Sequence, residues 1–192
     1  MRKKKLFFVA YGGGHMRLLH QVTKQLQNDV NFEIKILGLT SGYKDIKEEY
    51  KKEIVRKISD YDFLFSDEKD LIDKYGKMFL EENHNPDSGM EESDSLFYLG
   101  MSITDLVQEL GEKEALDLYD KKKRHAFKPT NSMKKILEYE KPDLLITTTS
   151  PKCELASLLA AKQLGIQSIQ IIDLFGDNYP VPFGDNIVVL NE

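Results

Sequence analysis

The chain opens with a continuous apolar run, Leu6-Phe7-Phe8-Val9-Ala10, bounded by lysines on one side and by Gly12-Gly13-Gly14 on the other. A short apolar run between charge and glycine predicts a strand covered on both faces. From His15 the period changes, and Met16, Leu19, Val22 and Leu26 fall on one helix face. Phe32, Ile34 and Ile36 then alternate with polar residues and lead into Leu37-Gly38-Leu39, a second strand. Strand, glycine turn, helix and strand in this order make a βαβ opening, which requires a parallel sheet.

The same grammar returns near the other end. Residues 132–139 read as a helix and Lys141-Pro142-Asp143 as a turn. Residues 144–149 form a buried strand rich in β-branched side chains. Ser150-Pro151 predicts an N-cap followed by proline at the first helical position, and Gly165 stops that helix after Leu155, Leu158, Leu159 and Leu164. Residues 168–174 and 186–190 are two further strands.

The middle differs in character. Ile46, Tyr50, Ile54 and Ile58 stand at helical spacing in a lysine- and glutamate-rich stretch, residues 61–65 read as a short strand, and residues 71–79 as a helix. Residues 81–95 are acidic and carry Asn85-Pro86-Asp87 and Ser88-Gly89, which predicts a long exposed loop. Ser102-Ile103-Thr104-Asp105 has the capping-box pattern of a helix start; Gly111 ends that helix, and residues 112–124 form another. The whole reads as one α/β domain, a Rossmann-like three-layer α/β/α parallel sheet, with a helical insertion over 44–128.

Composition narrows the classes. Apolar residues make up 41% and charged residues 31% of 192, so the chain can bury one good core and is not dominated by disorder. A formal net charge of −5 argues against a general nucleic-acid phosphate-backbone binder, which carries a basic footprint. Cys153 is the one cysteine, so no disulfide framework exists and a reducing compartment fits. The basic start imitates a leader, but its apolar run ends at the glycines, short of the ~7–15 residues of a signal core and the ~20 of a membrane helix. A cytoplasmic protein is expected.

Ligands of open parallel sheets sit beyond the carboxyl ends of the strands, and three such ends are legible. The first is Tyr11-Gly12-Gly13-Gly14-His15. Glycines allow a sharp turn and close approach to backbone amides, and the following helix start attracts anions. The alternative is a plain tight turn, since the pattern matches neither the dinucleotide fingerprint nor the phosphate loop. A histidine at a helix start is suited to act as a neutral donor or base. The second end is Thr147-Thr148-Thr149-Ser150 with Glu154, whose hydroxyls either hold a sugar or phosphate or satisfy the strand end and cap; Glu154 also complements a helix dipole. The third is Asp173-Leu174-Phe175-Gly176-Asp177, where Asp173 closes a strand and either binds hydroxyls or caps a turn.

The basic run Lys121-Lys122-Lys123-Arg124-His125 with Lys128 reads first as a solvated helix end and second as an attractor for phosphate or an anionic membrane. His20, His84 and Cys153 lack the close spacing of zinc ligands, and no Gly-x-Ser-x-Gly elbow is present.

Taken together, residues 7–26, with their strand, Gly-Gly-Gly-His and amphipathic helix, resemble the N-terminal half of GT-B glycosyltransferases. They are similar in particular to bacterial transferases that add N-acetylglucosamine to lipid-linked muramoyl peptide, and to related polysaccharide biosynthesis proteins. Lys141-Pro142-Asp143-Leu144-Leu145-Ile146-Thr147-Thr148-Thr149-Ser150-Pro151, then Glu154-Leu155-Ala156 and Gly165-Ile166, match a later strand–helix–strand of that half, and residues 185–192 its final strand. UDP-N-acetylglucosamine 2-epimerases share this two-domain plan. The likeness covers both ends but not residues 44–128, and the transferase pattern interposes a threonine among its glycines where this chain has none.

The resemblance implies an acceptor-side domain of an enzyme that moves a sugar from a nucleotide-sugar, such as a UDP-sugar, to a polysaccharide or lipid-linked acceptor. It implies no resident cofactor and no metal, and a second Rossmann-like domain or partner chain to complete the site. His15 and Asp173 are the catalytic candidates; Gly12, Gly13, Gly14, Thr148, Thr149, Ser150, Glu154 and Asp177 are the substrate-binding ones. A peripheral contact with the inner face of the membrane fits the same picture. The alternatives are an epimerase-like domain using Asp173 and Glu154 as acid and base, and a non-catalytic nucleotide- or sugar-binding module.

Overall fold

The computed structural model of the chain describes residues 2–149, 151–172 and 183–189. Strands β1 (Lys4–Ala10), β2 (Phe32–Gly38), β3 (Val55–Arg56), β4 (Leu144–Thr147), β5 (Gln167–Ile172) and β6 (Asn186–Val189) form one parallel sheet in the order β3-β2-β1-β4-β5-β6. Between them run helices α1 (Gly14–Leu26), α2 (Gly42–Ile46), α3 (Lys69–Asn83), α4 (Glu92–Leu110), α5 (Glu112–Lys122), α6 (Thr130–Glu140) and α7 (Cys153–Leu164).

Strand alternation explains the unbroken apolar run of β1. Phe7 and Val9 join Leu37 and Leu145 in one core layer, with side chains from α3, α4, α6 and α7. Leu6, Phe8 and Ala10 join Ile34, Ile36 and Ile146 in the other, with Met16 and Leu19 of α1 and Ile46 of α2. Both faces of the sheet are therefore covered, and the protein is a Rossmann-like three-layer α/β/α fold. The chain leaves β1 toward β2 on one side, while β4 pairs with the other side of β1. That reversal makes a topological switch point between β1 and β4, the usual place for a ligand crevice. Val9 and Thr147 are in register, so the turns after β1 and β4 leave the sheet side by side.

The middle is helical as its pattern suggests, with four differences. Val55–Arg56 is a sheet strand, pairing in parallel with Ile36 and Leu37, within the stretch read as insertion. The segment Ile58–Glu68 is 3-10 helix rather than a strand at 61–65; it buries Ile58, Tyr61 and Phe65, a spacing of three to four that no strand provides. The long exposed loop shrinks to the residues between α3 and α4, because Asp94 and Ser95 are buried. Asp94 accepts a hydrogen bond from Ser59 and lies 3.3 Å from Lys57 Nζ. Finally, Ser102 to Asp105 do not start a helix, since α4 runs straight through them. Asp105 instead caps α6 across space, accepting from Asn131 N–H at 2.8 Å, from Ser132 N–H at 3.2 Å and from the Ser132 hydroxyl at 2.8 Å.

Helices α3 and α4 lie antiparallel and approach closely where glycines face the partner backbone. A Cβ on Gly76 would stand 2.5 Å from Leu96 O, and one on Gly100 would stand 2.0 Å from Ile72 O. Backbone cannot swing aside as a side chain can. Gly100→Ala should therefore lose about 3 kcal/mol of stability despite alanine's better helix propensity, because the helices must separate. Urea denaturation reads this directly; an unchanged or raised midpoint would contradict the packing. Among the described residues, no helix is long and apolar enough to cross a membrane.

Candidate functional site

The glycine turn is built against its neighbour. A Cβ on Gly12 would lie 1.8 Å from Ser41 Oγ and 2.9 Å from the Gly42 nitrogen, so the turn after β2 fills the space where a side chain would go. Gly13 holds φ at 70°, a left-handed conformation that glycine adopts freely. The outer side is open: Gly13 and Gly14 are exposed, and nothing lies within 4 Å of a Cβ at either. Two amides of the turn are engaged by carboxylates. Gly13 N–H donates to Asp45 Oδ2 at 3.1 Å, and Tyr11 N–H donates to Glu154 Oε1 at 2.9 Å.

Glu154 also joins the turn after β4 to His15. Its Oε2 accepts from the Thr148 hydroxyl at 2.6 Å, and Thr148 Oγ1 stands 2.7 Å from His15 Nδ1. A threonine hydroxyl has one proton. Spent on the carboxylate, it leaves the oxygen to accept from His15 Nδ1–H. Glu154, Thr147 and Thr148 are fully buried, and Thr149 nearly so. The carboxylate, hydroxyl and imidazole thus form a line from the protein interior toward the glycine turn, the arrangement that fixes the tautomer of a general base.

Beside this line, the carboxyl edge opens into a cleft of about 460 Å³ lined by Tyr11, Thr40, Ser41, Lys123, Arg124 and Lys152, with Asn83, Ser88 and His125. A second recess of about 90 Å³ shares Thr40, Asn83, Ser88 and Arg124 with it. Arg124 stacks over the Tyr98 ring at 5.4 Å, and Lys152 Nζ lies 5.7 Å from the centre of the Tyr11 ring. The two tyrosines meet hydroxyl to hydroxyl at 2.6 Å, and burial pushes both phenols up from their ordinary value. Burial, and then the positive charge of Arg124, hold the Lys152 ammonium below the usual lysine range. Among the described residues, no carboxylate lines the cleft or pairs with Arg124 or Lys152, while Lys123 is 3.0 Å from Glu82.

The structure brings together Gly12, Gly13, Gly14, His15, Thr148, Thr149 and Glu154 at one sheet edge. Ser150, Asp173 and Asp177 lie outside the described residues. Pro151 sits in the turn before α7 and not at its first position; the helix begins at Cys153. Thr40 and Lys152 carry no local signal in the sequence, while the basic run reads first as a solvated helix end and second as an attractor for phosphate or an anionic membrane. The signal for that run was present in its charge, but the chain fold that returns it to the sheet edge was not.

Other candidates are structural. Burial pushes the Cys153 thiol up to about 12, so it stays protonated and inert at neutral pH. His20 Nδ1 is 2.9 Å from the Tyr50 hydroxyl, and His84 Nδ1 is 2.7 Å from Ser95 Oγ. Among the described residues, no group of three or more His, Cys, Asp or Glu side chains is placed to hold a metal ion. No protein-family model matches the chain, and no curated protein matches it.

Proposed function

We propose that this chain is the acceptor-side domain of a GT-B-type glycosyltransferase, acting with a second Rossmann-like domain or partner chain. It transfers a sugar from a nucleotide-sugar, such as a UDP-sugar, to a polysaccharide or lipid-linked acceptor. The observation that carries this reading is the line Glu154–Thr148–His15 at the switch point of a parallel sheet. In this role His15 Nε2 takes the proton of an acceptor hydroxyl as its oxygen bonds to the anomeric carbon. The bond from that carbon to the nucleotide diphosphate breaks, and the diphosphate leaves with the electron pair. The buried carboxylate steadies the imidazolium through Thr148. The epimerase reading needs carboxylates free to move protons, and Glu154 is wholly buried with both oxygens engaged, which weighs against it.

The test is to copurify the chain with whatever Rossmann-like partner it retains and supply UDP-[14C]N-acetylglucosamine with a lipid-linked acceptor fraction. The complex should label the acceptor, and residues 1–192 alone should turn over nothing. Conversion of the nucleotide-sugar to its 2-epimer, or robust transfer by the isolated chain, would refute the proposal.

A further inference from the structure

We propose that the cleft beside the glycine turn is a phosphoryl-binding subsite in which Arg124 and Lys152 clamp the phosphate or diphosphate group of a small-molecule substrate. This deepens the reading above: it rests on the carboxyl edge being the substrate site, and not on the transfer chemistry.

Four observations support it. First, the cations come from unrelated parts of the chain, Arg124 from the turn that ends the helical insertion and Lys152 from the turn between β4 and α7. Two positive groups converging without a carboxylate between them repel one another, and an anion removes that cost. Second, Arg124 Nε is buried with no hydrogen-bond partner among the described residues. A buried donor left unsatisfied is costly, and the guanidinium that carries it lines the cleft. Third, both walls hold strained backbone: Thr40 has φ 51° and Lys123 has φ 50°, conformations that a β-branched residue and a lysine rarely adopt. Such strain of about 1–3 kcal/mol per residue persists where neighbouring structure imposes it, commonly at ligand clamps. Fourth, the volume of about 460 Å³ suits a group larger than a bare ion and lies within the range of small-molecule sites.

The guanidinium offers paired N–H donors that match phosphate oxygens, and the ammonium supplies a point charge. The acidic side of the edge, Asp45 on the Gly13 amide and Glu154 on the Tyr11 amide, directs the anion away from the glycine turn toward these cations. Two half-buried cations converging from separate turns fit a compact phosphoryl group better than a flat membrane surface.

Calorimetric titration of the folded chain with inorganic pyrophosphate tests the subsite. Saturable binding is expected, weakened about tenfold or more by Arg124→Gln and by Lys152→Gln. Lys113→Gln, an exposed change at the far end of α5, should leave affinity unaltered. Circular dichroism melting confirms that each variant is folded. No binding by the wild-type chain, or equal loss in all three variants, overturns the proposal. So does attachment to phosphatidylglycerol vesicles without pyrophosphate binding, since the cations then serve a membrane surface. If pyrophosphate binds as expected while the assembled complex transfers no sugar, the subsite stands and the glycosyltransferase reading falls.

Discussion

On the proposed sugar-transfer role, His15→Ala in the chain assembled with its partner should lower kcat by about 10²–10⁴-fold while the KM for the acceptor changes little, the range expected when a positioned general base is removed. The expectation follows from the local geometry. The helix start places His15 on the open side of the glycine turn, and Thr148 at 2.7 Å fixes its Nδ1 as the protonated nitrogen. His15 stands outside both core layers, so alanine leaves the core intact, and thermal melting shows what loss of its bond to Thr148 costs in stability. A variant that retains full kcat would remove His15 from the reaction; one that raises KM alone would make it a binding residue.

Glu154→Ala should destabilise the chain by about 3 kcal/mol, because it removes the acceptor of the Tyr11 N–H and leaves a void at a wholly buried position. Glu154→Gln keeps the shape and one acceptor and should cost about 1–2 kcal/mol. The glutamine variant also separates support of the fold from orientation of the histidine. With no carboxylate to claim it, the Thr148 proton becomes free to point at His15 Nδ1, and the imidazole is released from a single tautomer. Nitrogen-15 shifts of His15 should show Nδ1–H in the wild-type chain and a mixture of tautomers in Glu154→Gln. A stable, single-tautomer glutamine variant would show that Glu154 serves packing alone.

Much of the frame was legible because its signals are local. Strand β1 is apolar without a break since both its faces are covered, and that is visible in five consecutive residues. The glycine turn, the helix face of Met16 and Leu19, and strands β4 and β5 follow from the same periodicities. The insertion was harder because its polar residues are satisfied by distant partners. Asp94 looks like loop until Ser59 and Lys57 close on it. Asp105 looks like a local cap until the start of α6 arrives. The need for glycine at position 100 shows only in space, where Ile72 O occupies the place a side chain would take.

By itself the sequence determined the class of fold, a parallel sheet between helical layers, and the glycine turn and threonine strand end at its carboxyl edge. Period and turn chemistry act over a few residues, and a chain carries them in plain order. Only the tertiary structure decided that Thr148 and Glu154 reach His15, and that Arg124 returns from the insertion to face Lys152 across a cleft. Those pairings depend on which strand lies beside which, and so on the burial of the whole core. The separation between Arg124 and Lys152 along the chain gives no trace of it.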